Sequence, residues 1–459
     1  MAEHRNDTGG APEGSPEGAE GPRQASEGAP RPDEHPTAPP RRDASAEHSR
    51  TTIVAIMISV FLMGTGTALQ GSAVSLRGGL EGFSDTIIGV IMSANYVGLI
   101  LGSLLAPTLI RGVGYVRTYA AFASIGSASA IVHVLLIHPV AWVLFRGATG
   151  FCLAVMLVVV ESWLNASSST YNRGRILSIY SVVYLGSMGA GQPLLAAFSP
   201  ATFELFAVTT IIISFCLLPV SLMRVSGNPE MRREPPQLLR TFRRSPLAGS
   251  GVVVSGMVTG GTWSLAPRFG QQLGMEESAI GLLMLTVSLG TLTLQLPLGW
   301  ISDRRDRRRA ILWSVALATA AGGLIALTRS TGPLLYVLIF LFGGFGMPLY
   351  SLSIALANDQ LSREEMVRAA GAIVLYYGVG SAAGPFVAGA FMAWIGPAGL
   401  FLFMSMMMAL LLVFTAVRVA VMPLLPRRRE TPYRPYPATT AAAFQLLRRV
   451  ARRRGPSSS

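Results

Sequence analysis

From Thr51 to Pro423 the chain is a succession of apolar runs, each about 20 residues long, the length at which a helix crosses a hydrocarbon core of about 30 Å. A run of that kind has one stable solution in lipid. The helix satisfies its own backbone amides where no water can. The runs fall at 52–74, 86–106, 116–137, 140–160, 176–197, 203–223, 248–267, 279–300, 310–328, 333–356, 368–394 and 398–421. Composition agrees, with 51% hydrophobic and 13% charged residues, against about 25% charged in soluble domains. The expected fold class is an all-α integral membrane protein with twelve transmembrane helices.

Arginine placement predicts orientation, because basic residues are retained on the cytoplasmic side. All 37 basic residues are Arg, and the net charge is +13. The connections after even-numbered runs hold seventeen: Arg111, Arg117, Arg173, Arg175, six from Arg224 to Arg244, five from Arg304 to Arg309, Arg363 and Arg368. Those after odd-numbered runs hold Arg77, Arg268 and Arg329. Both termini are therefore expected to be cytoplasmic, in a multi-pass protein of the cytoplasmic (inner) membrane.

The longest connection, 224–247, is polar and contains Pro229, Pro235 and Pro236. It divides the chain into six-helix halves, 51–223 and 248–423, a repeat plan that places a solute site between them at the midplane. Residues 1–50 have too few large apolar side chains to fold alone, and no apolar h-region of a signal peptide. They are expected to form a disordered cytoplasmic tail. The tail 424–459 sets nine Arg, Arg427 to Arg454, against Glu430. Anionic lipid head groups are its expected partners, beside the bland alternative of a solvated tail that enforces topology.

Enzyme chemistry is not expected. Cys152 and Cys216 lie in apolar runs without metal-ligand spacing, and the nucleophile-elbow, zincin and Walker patterns are missing. No cofactor, metal or nucleic acid is expected. Without a nucleotide-binding module, any pumping must draw on an ion or solute gradient.

Two loops occupy equivalent places in the halves: GSLLAPTLIRGVGYVR (102–117) and GWISDRRDRRRA (299–310). The second, Gly299-x3-Asp303-Arg304-x2-Arg307-Arg308-Arg309, resembles the cytoplasmic loop signature of the major facilitator superfamily (MFS). Arg146-x3-Gly150 is similar to that family's Arg-containing motif in span 4. Gly371-x8-Gly380-x3-Gly384-Pro385-x2-Ala388-Gly389 is similar to its antiporter Gly-Pro motif, here in span 11 rather than span 5. The segments 145–165, 173–180 and 348–361 resemble the YcaD-like branch, a resemblance that implies a fold and a class and no substrate.

For Asp303 the resemblance implies a charge–dipole contact with the start of span 5, near Gly174 to Ile176, that latches the cytoplasmic side. A carboxylate there is worth about 0.3–1 kcal/mol when exposed. The first-half loop has Ala106 and Pro107 where the acid and its Arg would stand, so such a latch is one-sided. The Arg run, Arg304, Arg307 and Arg308 included, anchors the loop inside, and Gly299 is expected to end span 8. Glu161 with Arg173 and Arg175, and Asp359 with Arg368, are expected to form ion bridges on the inner face, gating or merely structural.

Arg146 lies within span 4, where a charge costs at least about 2.5 kcal/mol. It either faces a cavity, holding an anionic group or steering a proton, or snorkels to the surface. Gln70, Trp263, Ser264, Tyr350 and Ser351 are further candidates for the solute site, with Asn95 and Tyr376 from spans 2 and 11. His133 reads as a packed side chain more readily than as a titrating group. Pro348 is expected to kink span 10. The small residues Gly98, Gly102 and Ala106 in span 2, and Gly380 and Gly384 in span 11, let helices approach closely, and spans 2 and 11 are expected to meet at the interface between the halves. The cavity is expected to be mostly apolar, suited to hydrophobic or amphipathic solutes.

The leading expectation is a monomeric secondary transporter of a small organic solute, working by alternating access. Export is the expected direction, from the span-11 motif, with protons as a candidate coupling ion. The alternatives are an uptake permease for a small metabolite and a non-transporting membrane scaffold or sensor.

Overall fold

The computed structural model describes residues 42–168, 172–222, 237–304, 306–328 and 331–421, and for 42–50, 363–364 and 367–368 the backbone helix alone. The expectations for both tails, and for most of the connection 224–247, lie outside the described residues. The chain divides into two units, Met1–Ser45 and Ala46–Ser459, and the helices packed around the cavity belong to the second.

Among the described residues there are helices and no strand. The first half holds α1 (Arg42–Leu80), α2 (Asp85–Val113), α3 (Tyr115–Leu135), α4 (Pro139–Ser167), α5 (Arg173–Ala190) with a 3-10 extension (Gln192–Ala196), α6 (Glu204–Phe215) and α7 (Leu217–Ser221). The second holds α8 (Leu238–Arg244), α9 (Pro246–Gln272), α10 (Glu277–Arg304), α11 (Arg307–Thr328), α12 (Pro333–Gly346), α13 (Leu349–Gln360), α14 (Arg363–Ile395) and α15 (Ala398–Val421).

Among the described residues, ten helices are long and apolar enough to cross a membrane, with α6–α7 and α12–α13 each forming one. α5 and α9 are less apolar. Much of α9 is buried against other helices, so it has less need of an oily surface than a lipid-facing helix.

Local sequence sets the ends. Pro139, Pro246 and Pro333 open α4, α9 and α12, at the helix position where a missing N–H costs nothing. Ser362 and Glu365 form a capping box on α14. Gly82 and Gly274 turn the chain between α1 and α2 and between α9 and α10 with φ of +74° and +72°, a backbone that favours glycine. These matching turns mark the repeat. The α12 helix stops at Gly346 and α13 starts at Leu349, so the break falls at Pro348 as its chemistry predicts. By contrast α10 runs on to Arg304, and Gly299 lies inside a helix rather than at its end.

Close helix contacts repeat as well. A Cβ on Gly98 or Gly102 of α2 would strike the Gly147 or Phe151 carbonyl of α4, and one on Gly290 of α10 the Phe340 carbonyl of α12. Likewise Gly380 and Gly384 of α14 lie against the Val253 and Met257 carbonyls of α9. The stripes at Gly98 and Gly102 and at Gly380 and Gly384 therefore join helices of the same half. Spans 2 and 11, α2 and α14, do meet between the halves, with Gly89 against the Pro385 carbonyl and Gly389 against the Asp85 carbonyl.

Candidate functional site

Between the halves lies a cavity with about 1180 Å³ of empty space, part of it open to solvent. It is lined from α1, α2, α4, α5, α9, α10, α12–α13 and α14, and its wall includes Asn95, Arg146, Trp263, Ser264, Tyr350 and Ser351. Six of the eight candidate solute residues are thus brought together from four separated segments.

Arg146 is the only charged residue among the described residues of that wall. It is 4% exposed, and its Nε and Nη1 have no hydrogen-bond partner. A side chain so buried does not snorkel to the surface. Gly71 leaves room beside it, since a Cβ there would come within 3.9 Å of Arg146 Nη2 and 3.8 Å of the Trp263 carbonyl.

Two candidates fall elsewhere, each one residue from a lining position. Gln70 is fully buried behind the wall and donates from Nε2 to Thr149 Oγ1 at 3.3 Å, while its neighbour Gly71 lines the cavity. Tyr376 turns away, donating its hydroxyl to the Leu238 carbonyl of α8 and meeting Phe242 edge-on at 6.1 Å. Its neighbour Tyr377 lines the cavity instead and packs on Tyr350 with ring centroids 4.8 Å apart. One helical residue is a rotation of about 100°, enough to exchange wall for backing.

Sequence reasoning also missed Tyr96, Tyr184 and Gln295, which line the cavity. Tyr96 and Gln295 are polar residues within apolar runs, the same signal that singled out Asn95. His133 is fully buried outside the cavity wall, with Nδ1 2.7 Å from the Ser129 carbonyl and its ring edge-on to Trp142 and Phe145. It is a packed side chain.

The halves are tied at the Arg-poor end. Arg268 Nε, near the end of α9, donates to Asp85 Oδ1 at 2.8 Å, and Gln272 Nε2 to Asp85 Oδ2 at 2.7 Å. Gln271 Nε2 donates to the Leu76 carbonyl at 3.1 Å, and Arg268 Nη1 to Gln271 Oε1 at 2.6 Å. One carboxylate at the start of α2 is thereby held by two side chains of the other half. Beside it, α10 abuts the 3-10 extension of α5, Gly281 against the Gln192 carbonyl.

Comparison with known proteins agrees with this architecture. The family model described as Major Facilitator Superfamily matches residues 248–455. The uncharacterized MFS-type transporter YcaD of Escherichia fergusonii is 26% identical over 335 residues, covering 72% of this chain and 87% of its own. YcaD of Salmonella newport is 27% identical over 301 residues, or 65% and 78%. The second half of the chain thus matches the superfamily's model, and most of the chain is similar to YcaD-type relatives. Two solved transporter structures are similar in fold. A variant of the nucleoside transporter NupG gives a TM-score of 0.68 at 12% identity, covering 81% of this chain and 99% of that one. A bacterial homologue of the human lysosomal transporter Spinster, inward-facing and unoccupied, gives 0.62 at 13%, covering 90% and 99%. The protein is a multi-pass membrane transport protein similar to MFS-type transporters.

The MFS loop signature is an ion cluster within the second half. Arg307 donates to Asp359 at 2.6 Å and pairs with Asp303 at 3.0 Å. Arg308 pairs with Asp306 at 2.9 Å, and Arg304 stacks over Trp300 at 3.8 Å. Asp359, expected to bridge Arg368, thus bonds to Arg307, and the Arg368 side chain lies outside the described residues. In the first half Glu161 is buried and accepts from the Tyr180 hydroxyl at 3.2 Å. Nearby, Arg173 donates to the Asn165 carbonyl at 3.4 Å, and Arg175 is exposed. The short helix α8 docks on α14 through Arg240 and Arg244 against Glu365, at 3.9 and 3.5 Å. The Ser362 backbone N–H, and then the two Arg, hold the Glu365 carboxyl below its ordinary pKa.

Proposed function

We propose that this protein is an MFS member, a secondary transporter that moves a small organic solute across the cytoplasmic membrane by alternating access, in the export direction. Twelve spans cross the membrane on this reading, α5 and α9 being the two less apolar ones, and both termini are cytoplasmic. The protein works as a monomer.

The observation that carries the reading is a cavity between the halves with cross-half contacts at its Arg-poor end. With the Arg-rich end cytoplasmic, this is the inward-open state. Closing the other end would bring Asp303 to the start of α5, which requires it to exchange its Arg307 partner for a helix end. Export rests on the Gly-Pro segment of α14. The cavity wall holds no Asp or Glu among the described residues, so proton coupling, if used, falls to groups outside it.

Flux into proteoliposomes, measured for a solute panel with and without an imposed pH gradient and in both protein orientations, tests the proposal. Solute movement that depends on the protein supports it. A correctly inserted protein that moves no member of the panel sinks it, and one-way uptake sinks the direction alone.

Two substitutions check the details. Tyr377→Ala should weaken solute affinity about tenfold, or about 1.4 kcal/mol, while Tyr376→Ala leaves it within about twofold, as read by concentration-dependent flux. Asp303→Asn should slow turnover several-fold with insertion unchanged, and wild-type turnover would remove the Asp303 latch from the mechanism.

A further inference from the structure

The cavity wall is chemically lopsided. It carries one full positive charge, Arg146, and no acidic side chain among the described residues. The acids that could have offset that charge are engaged elsewhere. Asp85 is held by Arg268 and Gln272, Glu161 accepts from Tyr180, and Asp303 and Asp359 share Arg307. Arg146 keeps two guanidinium nitrogens without partners although almost fully buried. A buried cation left in that condition is costly, and evolution tolerates the cost where a ligand completes the pair.

The rest of the wall describes the ligand's body. Tyr96, Tyr184, Trp263, Tyr350 and Tyr377 surround the space, five rings that favour a flat apolar or aromatic group. Asn95, Ser264 and Gln295 supply neutral polar contacts.

We infer that the solute is an amphipathic organic anion, its carboxylate or equivalent oxyanion on Arg146 and its flat body among the five rings. Guanidinium and carboxylate match in geometry, and the charge-assisted bond between them is stronger than a neutral one. A cationic solute would meet an uncompensated like charge in a site of low dielectric. The inference rests on the transporter reading for its physiological meaning, and its test does not depend on flux.

Isothermal calorimetry on the full-length protein in detergent, with matched naphthalene probes, separates charge from shape. The wild type should bind 2-naphthoate at least about tenfold tighter than 2-naphthamide, and bind 2-naphthylmethylammonium most weakly. Inorganic phosphate at the same concentration should give no heat. Arg146→Gln should abolish the preference for naphthoate while still binding the amide, and Arg146→Lys should retain part of it. Equal or tighter binding of the amide or the ammonium probe overturns the inference, as does an undiminished naphthoate preference in Arg146→Gln. Strong phosphate binding overturns the amphipathic part. Proteoliposome flux distinguishes the two readings: anion preference in calorimetry without flux of any solute removes the transporter, while flux of cations without anion preference removes the anion site.

Discussion

Replacing Arg146 with methionine should make this protein more stable and stop it from transporting. The two effects have one cause. Arg146 is 4% exposed with Nε and Nη1 unpaired, so the folded protein carries a buried charge with two of its nitrogens unsatisfied. Substituting apolar side chains for buried charges is neutral or stabilising by about 1–4 kcal/mol, and methionine reproduces the length and flexibility of the Arg stem. The midpoint of thermal unfolding in detergent should therefore rise. If the solute's charge sits on Arg146, the lost pair costs about 2–5 kcal/mol, and flux at low solute concentration should fall about 30-fold or more. Lower stability would mean that Arg146 has a structural partner after all. Wild-type flux with higher stability would leave its charge without a role in transport.

Removing the tie at the Arg-poor end should have the second-largest effect. Asp85 and Arg268 are largely shielded, with side-chain exposures of 9% and 18%, and Gln272 adds a second bond to the same carboxylate. Exposed ion pairs contribute about 0–1 kcal/mol, whereas breaking buried ones costs about 3–5. A partly buried pair lies between, at about 1–3 kcal/mol. Because the two residues belong to different halves, the loss falls on the state in which they touch. Asp85→Ala should shift the population about 5- to 150-fold toward opening at this end. Spin labels on Ile87 and Trp394, exposed positions in opposite halves near that end, would report the change as a longer distance. The exchange Asp85→Arg with Arg268→Asp should recover part of the closed population. An unchanged distance in Asp85→Ala would assign the closure to the glycine contacts, Gly89 on Pro385 and Gly281 on Gln192.

The candidate site was legible to within one residue and no better. Trp263, Ser264, Tyr350 and Ser351 could be singled out because polar or aromatic groups in the middle of an apolar run need a reason to be there. Tyr376 and Tyr377, or Gln70 and Gly71, cannot be told apart in this way, because an apolar run in sequence does not show its faces. Tyr376 is satisfied by α8, a helix of seven residues inside what read as a polar connection. Gly71 lines the cavity with backbone, which no list of chemically active residues would include. Asp85 and Arg268 stand 183 positions apart at the edges of two loops, where charges ordinarily need no partner.

The order of the apolar helices and the break at Pro348 follow from the sequence alone. Each depends on local chemistry: backbone desolvation over about 20 residues, a missing N–H. The expected sidedness likewise comes from Arg counts, since it depends on which loops can be carried across the bilayer. Tertiary structure alone decided which neighbour each small-residue stripe serves, which face of each helix looks into the cavity, and which end is tied. Those depend on rotation and on contacts between segments far apart in the chain. A stripe such as Gly380 and Gly384 has the same spacing whether it meets α2 or α9; only packing chose α9.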